Sequence, residues 1–343
     1  MLKSSAEVLR CAPRLIVPEA GHSRDDGRGL LRELIDDGRP LLELTAVALL
    51  ISGAFAIFLS VRREFLPQDI GFLGMTAHDL CAIADCRVVR FMFHDRVAFG
   101  GTLIAIATLY LWLAAFPLRQ GSSWAWWAFL ISGALGFGSF LAYLGYGYLD
   151  SWHGAATLAL LPTFATGLLV SRPLARAASR GWLRSPGGLR APQPLRAGRW
   201  GLLATGSGLI LAGTVIVSLG ATEVFVPEDL GFMGLSREAI HAINPRLIPL
   251  IAHDRAGFGG GLATIGVLVV MAAWFAPPAR AFHQAIALAG IAGFGCAIGT
   301  HFVEGYMNPW HLAPAFMGAA LFGVSLLGEV LGWRKMERDQ TCR

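Results

Sequence analysis

The sequence predicts an all-α polytopic membrane protein with eight transmembrane helices, arranged as two parallel four-helix repeats. Three observations lead there. Apolar residues make up 55% of the 343 residues and charged residues only 15%, and the mean hydropathy is +0.56, more apolar than a soluble globular chain. Runs long enough to cross a bilayer core of about 30 Å as helices recur at 42–61, 97–117, 123–147, 154–171, 201–221, 256–276, 283–303 and 311–333. They are long and continuous rather than short and alternating, which argues against a closed barrel. Finally, the chain repeats itself at an offset near 160 residues. Phe65-Leu66-Pro67-Gln68-Asp69-Ile70-Gly71-Phe72-Leu73-Gly74 returns as Phe225-Val226-Pro227-Glu228-Asp229-Leu230-Gly231-Phe232-Met233-Gly234. His94-Asp95-Arg96 and Gly100-Gly101 return as His253-Asp254-Arg255 and Gly259-Gly260, and Gly147-Tyr148 and Trp152-His153 return as Gly305-Tyr306 and Trp310-His311.

Residues 1–40 form a charged N-terminal segment without the apolar core of a signal peptide; Leu30 to Ile35 suit a short surface helix. The first repeat spans 41–171 and the second 200–334, and residues 335–343 form a tail. Between the repeats, the linker 172–199 holds Arg172, Arg176, Arg180, Arg184, Arg190, Arg196 and Arg199 without one acidic residue. The positive-inside rule puts this linker and both termini in the cytoplasm of a multi-pass cell-membrane protein. The net charge of +5 thus follows from topology and implies no nucleic-acid partner.

The segments 62–96 and 222–255 then face outward. In each, Pro fixes φ and glycines permit tight bends, so the Phe-x-Pro-x-Asp-x-Gly-Phe-x-Gly stretch reads as an ordered cap. Thr76 and Ser236 are helix N-caps with acidic residues in the following turn, predicting a short helix across the outer face of each half. Asp69 and Asp229 are expected to cap backbone amides, with a ligand or proton-transfer role as the alternative. Cys81 and Cys86 share the first outer loop, either as a small disulfide loop or as two free thiols. Cys11, Cys296 and Cys342 have no obvious partner.

Each His-Asp-Arg triplet is flanked by apolar residues, which puts it within a helix inside the outer membrane boundary. Ionisable residues at such depth are costly and usually functional. The plain alternative is an Asp–Arg pair with a hydrogen-bonded histidine tying the outer ends together. Consecutive helix residues project about 100° apart, so the three side chains cannot share one face. The Gly-Gly that follows either lets helices approach closely or leaves room for a flat macrocycle. His153 and His311 begin the fourth and eighth spans beside interfacial tryptophans, at the depth of His94 and His253. The expected ligand pairs are therefore His94 with His153 and His253 with His311, holding a heme or a non-heme metal. Arg96 and Arg255 would neutralise acidic cofactor groups, while Asp95 and Asp254 would orient imidazoles or relay protons. His301 and Glu304 share a helix face in the second half only. With His253 and Asp254 they form the expected catalytic set. His78, His241 and His283 read as solvated.

With histidines at the second and fourth span of each half and a cysteine pair in the first outer loop, the chain resembles heme A synthase over about 60–334. The resemblance implies an eight-helix fold of two similar halves, heme ligation by His94, His153, His253 and His311, and a Cys81–Cys86 pair. It is one of architecture and spacing. The family's second-span signature has glutamate three residues before histidine and arginine directly after it. Here Phe91 and Leu250 stand at the glutamate position and Asp95 and Asp254 at the arginine position. The repeats are also similar to those of bacterial membrane proteins of unassigned function.

The functional expectation is an integral membrane heme- or metal-binding oxidoreductase with its site near the outer face. It would act in the bilayer on a quinone or other lipophilic substrate. The alternatives are a proton-coupled transporter or lipid-binding permease, and a structural membrane subunit. No nucleotide-binding glycine signature or nucleophile constellation stands out.

Overall fold

A computed structural model describes residues 36–83, 85–148, 151–176 and 193–341. The N-terminal segment through residue 35, the linker core at 177–192, Cys11 and Cys342 lie outside the described residues. The chain is all-α. In order it forms α1 (Arg39–Arg62), α2 (Pro67–Leu73), α3 (Ala77–Ile83), α4 (Arg87–Leu113), α5 (Ser123–Phe140) and α6 (Ser151–Arg176). Then come α7 (Leu195–Ala221), α8 (Pro227–Met233), α9 (Arg237–Ile243), α10 (Leu247–Phe275), α11 (Arg280–Glu304) and α12 (Pro309–Thr341). A π-helical turn, Ala114–Leu118, extends α4, and a 3₁₀ segment, Leu141–Tyr146, extends α5. The eight long helices are long and apolar enough to cross a membrane.

Two of them are central. The most apolar stretches of α4 and α10 are each 67% buried, against 17–28% for the other six. Those six carry large apolar side chains outward, among them Ile51, Leu158, Leu211, Ile291 and Val324, as lipid-facing surfaces do. The packing crosses the two halves of the sequence: α4 lies on α1 and α11, α10 lies on α7 and α5, and α4 and α10 touch each other.

Glycines bring α1 close against α4 and α7 close against α10. A Cβ at Gly53 would meet the Gly100 carbonyl oxygen at 2.6 Å, and one at Gly213 would meet the Gly259 carbonyl oxygen at 2.5 Å. Gly101 is filled by Cys296 and Gly260 by Ser139. The Gly-Gly pairs therefore serve close helix packing, and neighbouring side chains take the room a macrocycle would need.

The helices converge at one end beneath α2, α3, α8 and α9, where Phe65, Leu80, Phe91, Tyr148, Phe225, Ile240, Leu250 and Tyr306 form one apolar core. Each Phe-x-Pro-x-Asp stretch turns into a helix because Pro occupies its first turn and the aspartate reaches back. Asp69 Oδ2 accepts from Leu66 N at 3.1 Å, and Asp229 Oδ2 accepts from Val226 N at 2.8 Å. Thr76 and Asp79 cap α3 reciprocally, the Asp79 amide donating to Thr76 Oγ1 at 3.1 Å and the Thr76 amide to Asp79 Oδ2 at 2.8 Å. Those bonds hold the Asp79 carboxyl below its ordinary value. A disulfide joins Cys81 and Cys86.

The opposite end is held by a buried pair that sequence patterning did not single out. Arg199 Nε donates to Glu329 Oε1 at 2.7 Å, and Nη1 donates to the Ala273 and Ala276 carbonyls at the end of α10, at 2.9 and 2.7 Å. His283, expected from the sequence to be solvated, is buried. Its Nε2 lies 3.6 Å from Glu329 Oε1 and its ring 5.0 Å from Trp333, because α12 closes over it.

Candidate metal centre

The His-Asp-Arg triplets lie inside α4 and α10 at the capped end, and their side chains point in three directions as helix geometry requires. The arginines reach across the α4–α10 contact. Arg96 donates from Nη1 to Asp69 Oδ2 at 2.5 Å and from Nε to Asp254 Oδ2 at 3.1 Å. Arg255 pairs through Nη2 with Asp229 Oδ2 at 2.7 Å and through Nε with Asp95 Oδ2 at 3.4 Å. Tyr148 Oη donates to Asp69 and Tyr306 Oη donates to Asp229 Oδ1, the latter at 2.8 Å. Burial first, then the neighbouring carboxylate, pushes both phenols well above the ordinary tyrosine value, so each stays a donor.

Each network joins residues of both halves, and each sets two carboxylates against one guanidinium. With the histidine beside each network neutral, its carboxylates outnumber its guanidinium by one, where water does not screen the charge. A cation bound beside either network would offset it.

Beside the Asp95–Arg255–Asp229 network, three histidines converge. His94 from α4, His301 from the end of α11 and His311 from the start of α12 each bring a ring nitrogen within 4.8 Å of the others. His94 and His301 are buried, with Nε2 atoms 2.9 Å apart. Their second nitrogens fix the tautomers. His301 Nδ1 lies 2.7 Å from the Tyr306 carbonyl oxygen, which only accepts, so Nδ1 carries the proton. His94 Nδ1 lies 3.1 Å from Asp95 Oδ1, a carboxylate held by Arg255, and donates likewise. When both imidazoles are neutral, this arrangement aims two lone pairs at each other. His311 Nδ1 lies 3.3 Å from Tyr306 Oη, whose own proton goes to Asp229, so this ring also donates from Nδ1 and keeps Nε2 free. Nδ1 anchored on oxygen and Nε2 left open is the arrangement of metal-binding histidines.

The remaining expected site residues are placed as follows. His253 repeats the geometry of His94: its Nδ1 lies 3.1 Å from Asp254 Oδ1, and its ring centroid lies 5.2 Å from that of Tyr148. His153 sits on the first turn of α6, and its side chain lies outside the described residues. Glu304 is buried next to the cluster's helix end and accepts from Arg63. Arg96 and Arg255 already have carboxylate partners. The histidines grouped with His94 among the described residues are thus His301 and His311, from the other half of the chain. In the sequence Tyr148 and Tyr306 stand out only as a repeated Gly-Tyr pair, and that repetition is the signal of their role.

No family model, curated protein or solved structure matches this chain.

Proposed function

We propose that this is an integral membrane metalloprotein whose centre is a non-heme transition metal bound by His94, His301 and His311, and that it performs redox chemistry near the outer face. In this reading the two halves are parallel four-helix copies, with the basic linker and both termini in the cytoplasm. The observation that carries it is the pair of Nε2 atoms 2.9 Å apart, each ring's Nδ1 being held by an oxygen acceptor. A cation between them bridges the two nitrogens beside a network of two carboxylates and one guanidinium. Tetrahedral zinc with nitrogen ligands at about 2.0–2.1 Å sets those nitrogens about 3.3 Å apart, so the rings need open by only a few tenths of an ångström. Imidazole suits zinc, copper, iron and nickel. Three protein ligands leave a position open, as catalytic rather than structural sites do.

A shared proton would also relieve the His94–His301 contact, and it is the basis of the proton-coupled alternative. It needs only two rings, whereas His311 brings a third with its Nδ1 anchored in the same way. Elemental analysis and electron paramagnetic resonance of protein purified without chelators test the reading. Iron or copper near one per chain supports it. Zinc would keep the site and remove the redox assignment, and a metal-free protein would leave the shared proton.

A further inference from the structure

The histidine cluster leaves unused a cavity lined in part by α4 and α10. About 220 Å³ in volume, it lies between α1, α4, α5, α6 and α10, lined by Phe99, Leu103, Phe137, Gly257, Gly261 and Thr264 among others. Apolar cavities of about 150 Å³ stay dry and take small hydrocarbons. Most of the hydroxyls along this one already donate or pair within the protein. Thr264 Oγ1 donates to the Gly260 carbonyl at 2.8 Å, Ser139 Oγ to the Gly136 carbonyl at 2.9 Å, and Tyr110 Oη pairs with Ser132 Oγ at 2.9 Å. The cavity therefore offers chiefly hydrocarbon contact.

Polar residues stand beyond one end of the cavity. On α10, His253, Gly257, Gly261 and Thr264 follow at spacings of four, four and three residues, which places them on one face. His253, with Asp254 and Tyr148, thus stands one turn beyond the cavity's Gly257. Leu66, also in the lining, donates its amide to Asp69 of the same network. A chain lying in the cavity would bring its polar end to His253. Two carboxylates, Asp69 and Asp254, stand there against the one guanidinium of Arg96, an arrangement that does not favour an anionic head. We infer that this cavity binds the hydrocarbon tail of an uncharged amphiphile and presents its head to His253, Asp254 and Tyr148.

The inference is independent of the metal. Gly257 allows a clean test, because a Cβ there meets only the Phe99 ring, at 3.5–3.9 Å, an ordinary contact. Gly257→Leu fills the cavity without displacing backbone. Gly138, with nothing within 4 Å of a Cβ, is the lipid-facing control. The probe is hexadecanol carrying a mid-chain diazirine, photolysed with the full chain in nanodiscs and mapped by mass spectrometry. Adducts are expected on Phe99, Leu103 and Phe137. Gly257→Leu should reduce them about tenfold, the loss of a few buried methylenes, while Gly138→Leu leaves them unchanged. Should Gly257→Leu not fold, Ala156→Leu fills the same cavity from α6. Undiminished adducts in a folded filled variant, or wild-type adducts confined to lipid-facing side chains, would overturn the site. Equal cavity labelling by the corresponding diazirine carboxylate would overturn the uncharged-head assignment.

Discussion

Asp95→Asn is a change of charge with little change of shape, and the metal reading makes its outcome specific. Asp95 is buried and accepts from His94 Nδ1 at 3.1 Å. An asparagine carbonyl can still accept that proton, so the ring keeps its orientation and what is lost is the negative charge behind it. A hydrogen bond to a charged group contributes about 1.5–3 kcal/mol against about 1 for a neutral one. The difference, about 1–1.5 kcal/mol, corresponds to roughly a tenfold loss of metal affinity. That is the lower end of the 10–100-fold range for outer-shell partners of metal-bound histidines. The natural control is Asp254→Asn, which makes the same change behind His253 on the other central helix. It should alter metal affinity by no more than about 0.3–0.5 kcal/mol, the scatter between independent sites. Competition titration with a chromophoric chelator in detergent reads both, alongside thermal melting to confirm folding. Unchanged affinity in Asp95→Asn, or an equal fall in both variants, would refute the tautomer argument.

Three further outcomes follow from the packing. Glu329→Gln should destabilise the fold by about 3–5 kcal/mol because it leaves the Arg199 charge buried without its partner. The double change Arg199→Met with Glu329→Leu should recover most of that in melting experiments. Gly259→Leu should cost at least about 1–3 kcal/mol, since a Cβ there meets Val217 N at 2.7 Å and the Gly213 carbonyl at 2.8 Å; wild-type melting would contradict the close approach. At the cap of α3, the Asp79 carboxyl sits below its ordinary value, so its contribution is present above that value and is lost as pH falls through the lowered one. Hydrogen exchange of the Thr76 and Asp79 amides should therefore accelerate on acidification in the wild type and not in Asp79→Asn.

Much of the fold was legible because bilayer spans demand length and continuity. All eight apolar runs became long helices, and the triplets lie inside α4 and α10 because those helices begin at Arg87 and Leu247, ahead of the apolar cores. The cap was legible too: proline, aspartate and glycine in Pro67–Gly74 act through local backbone geometry. What the repeat could not reveal is which half completes which site. Two like halves offer His94 either partner equally well, and only the packing of α4 on α11 and of α10 on α5 selects the crossed arrangement. His283, Arg199 and Glu329 escaped for a related reason. They lie in three separate spans, and only packing in three dimensions joins them.

X-ray absorption spectroscopy of the metal-loaded protein addresses the central claim most directly. Three imidazole nitrogens from His94, His301 and His311 predict a first shell of nitrogen or oxygen scatterers at about 2.0–2.1 Å. They also predict the outer-shell pattern of three histidine rings, reduced to two in His311→Ala. A porphyrin scattering pattern, sulfur in the first shell, or an unchanged histidine count in His311→Ala would contradict it.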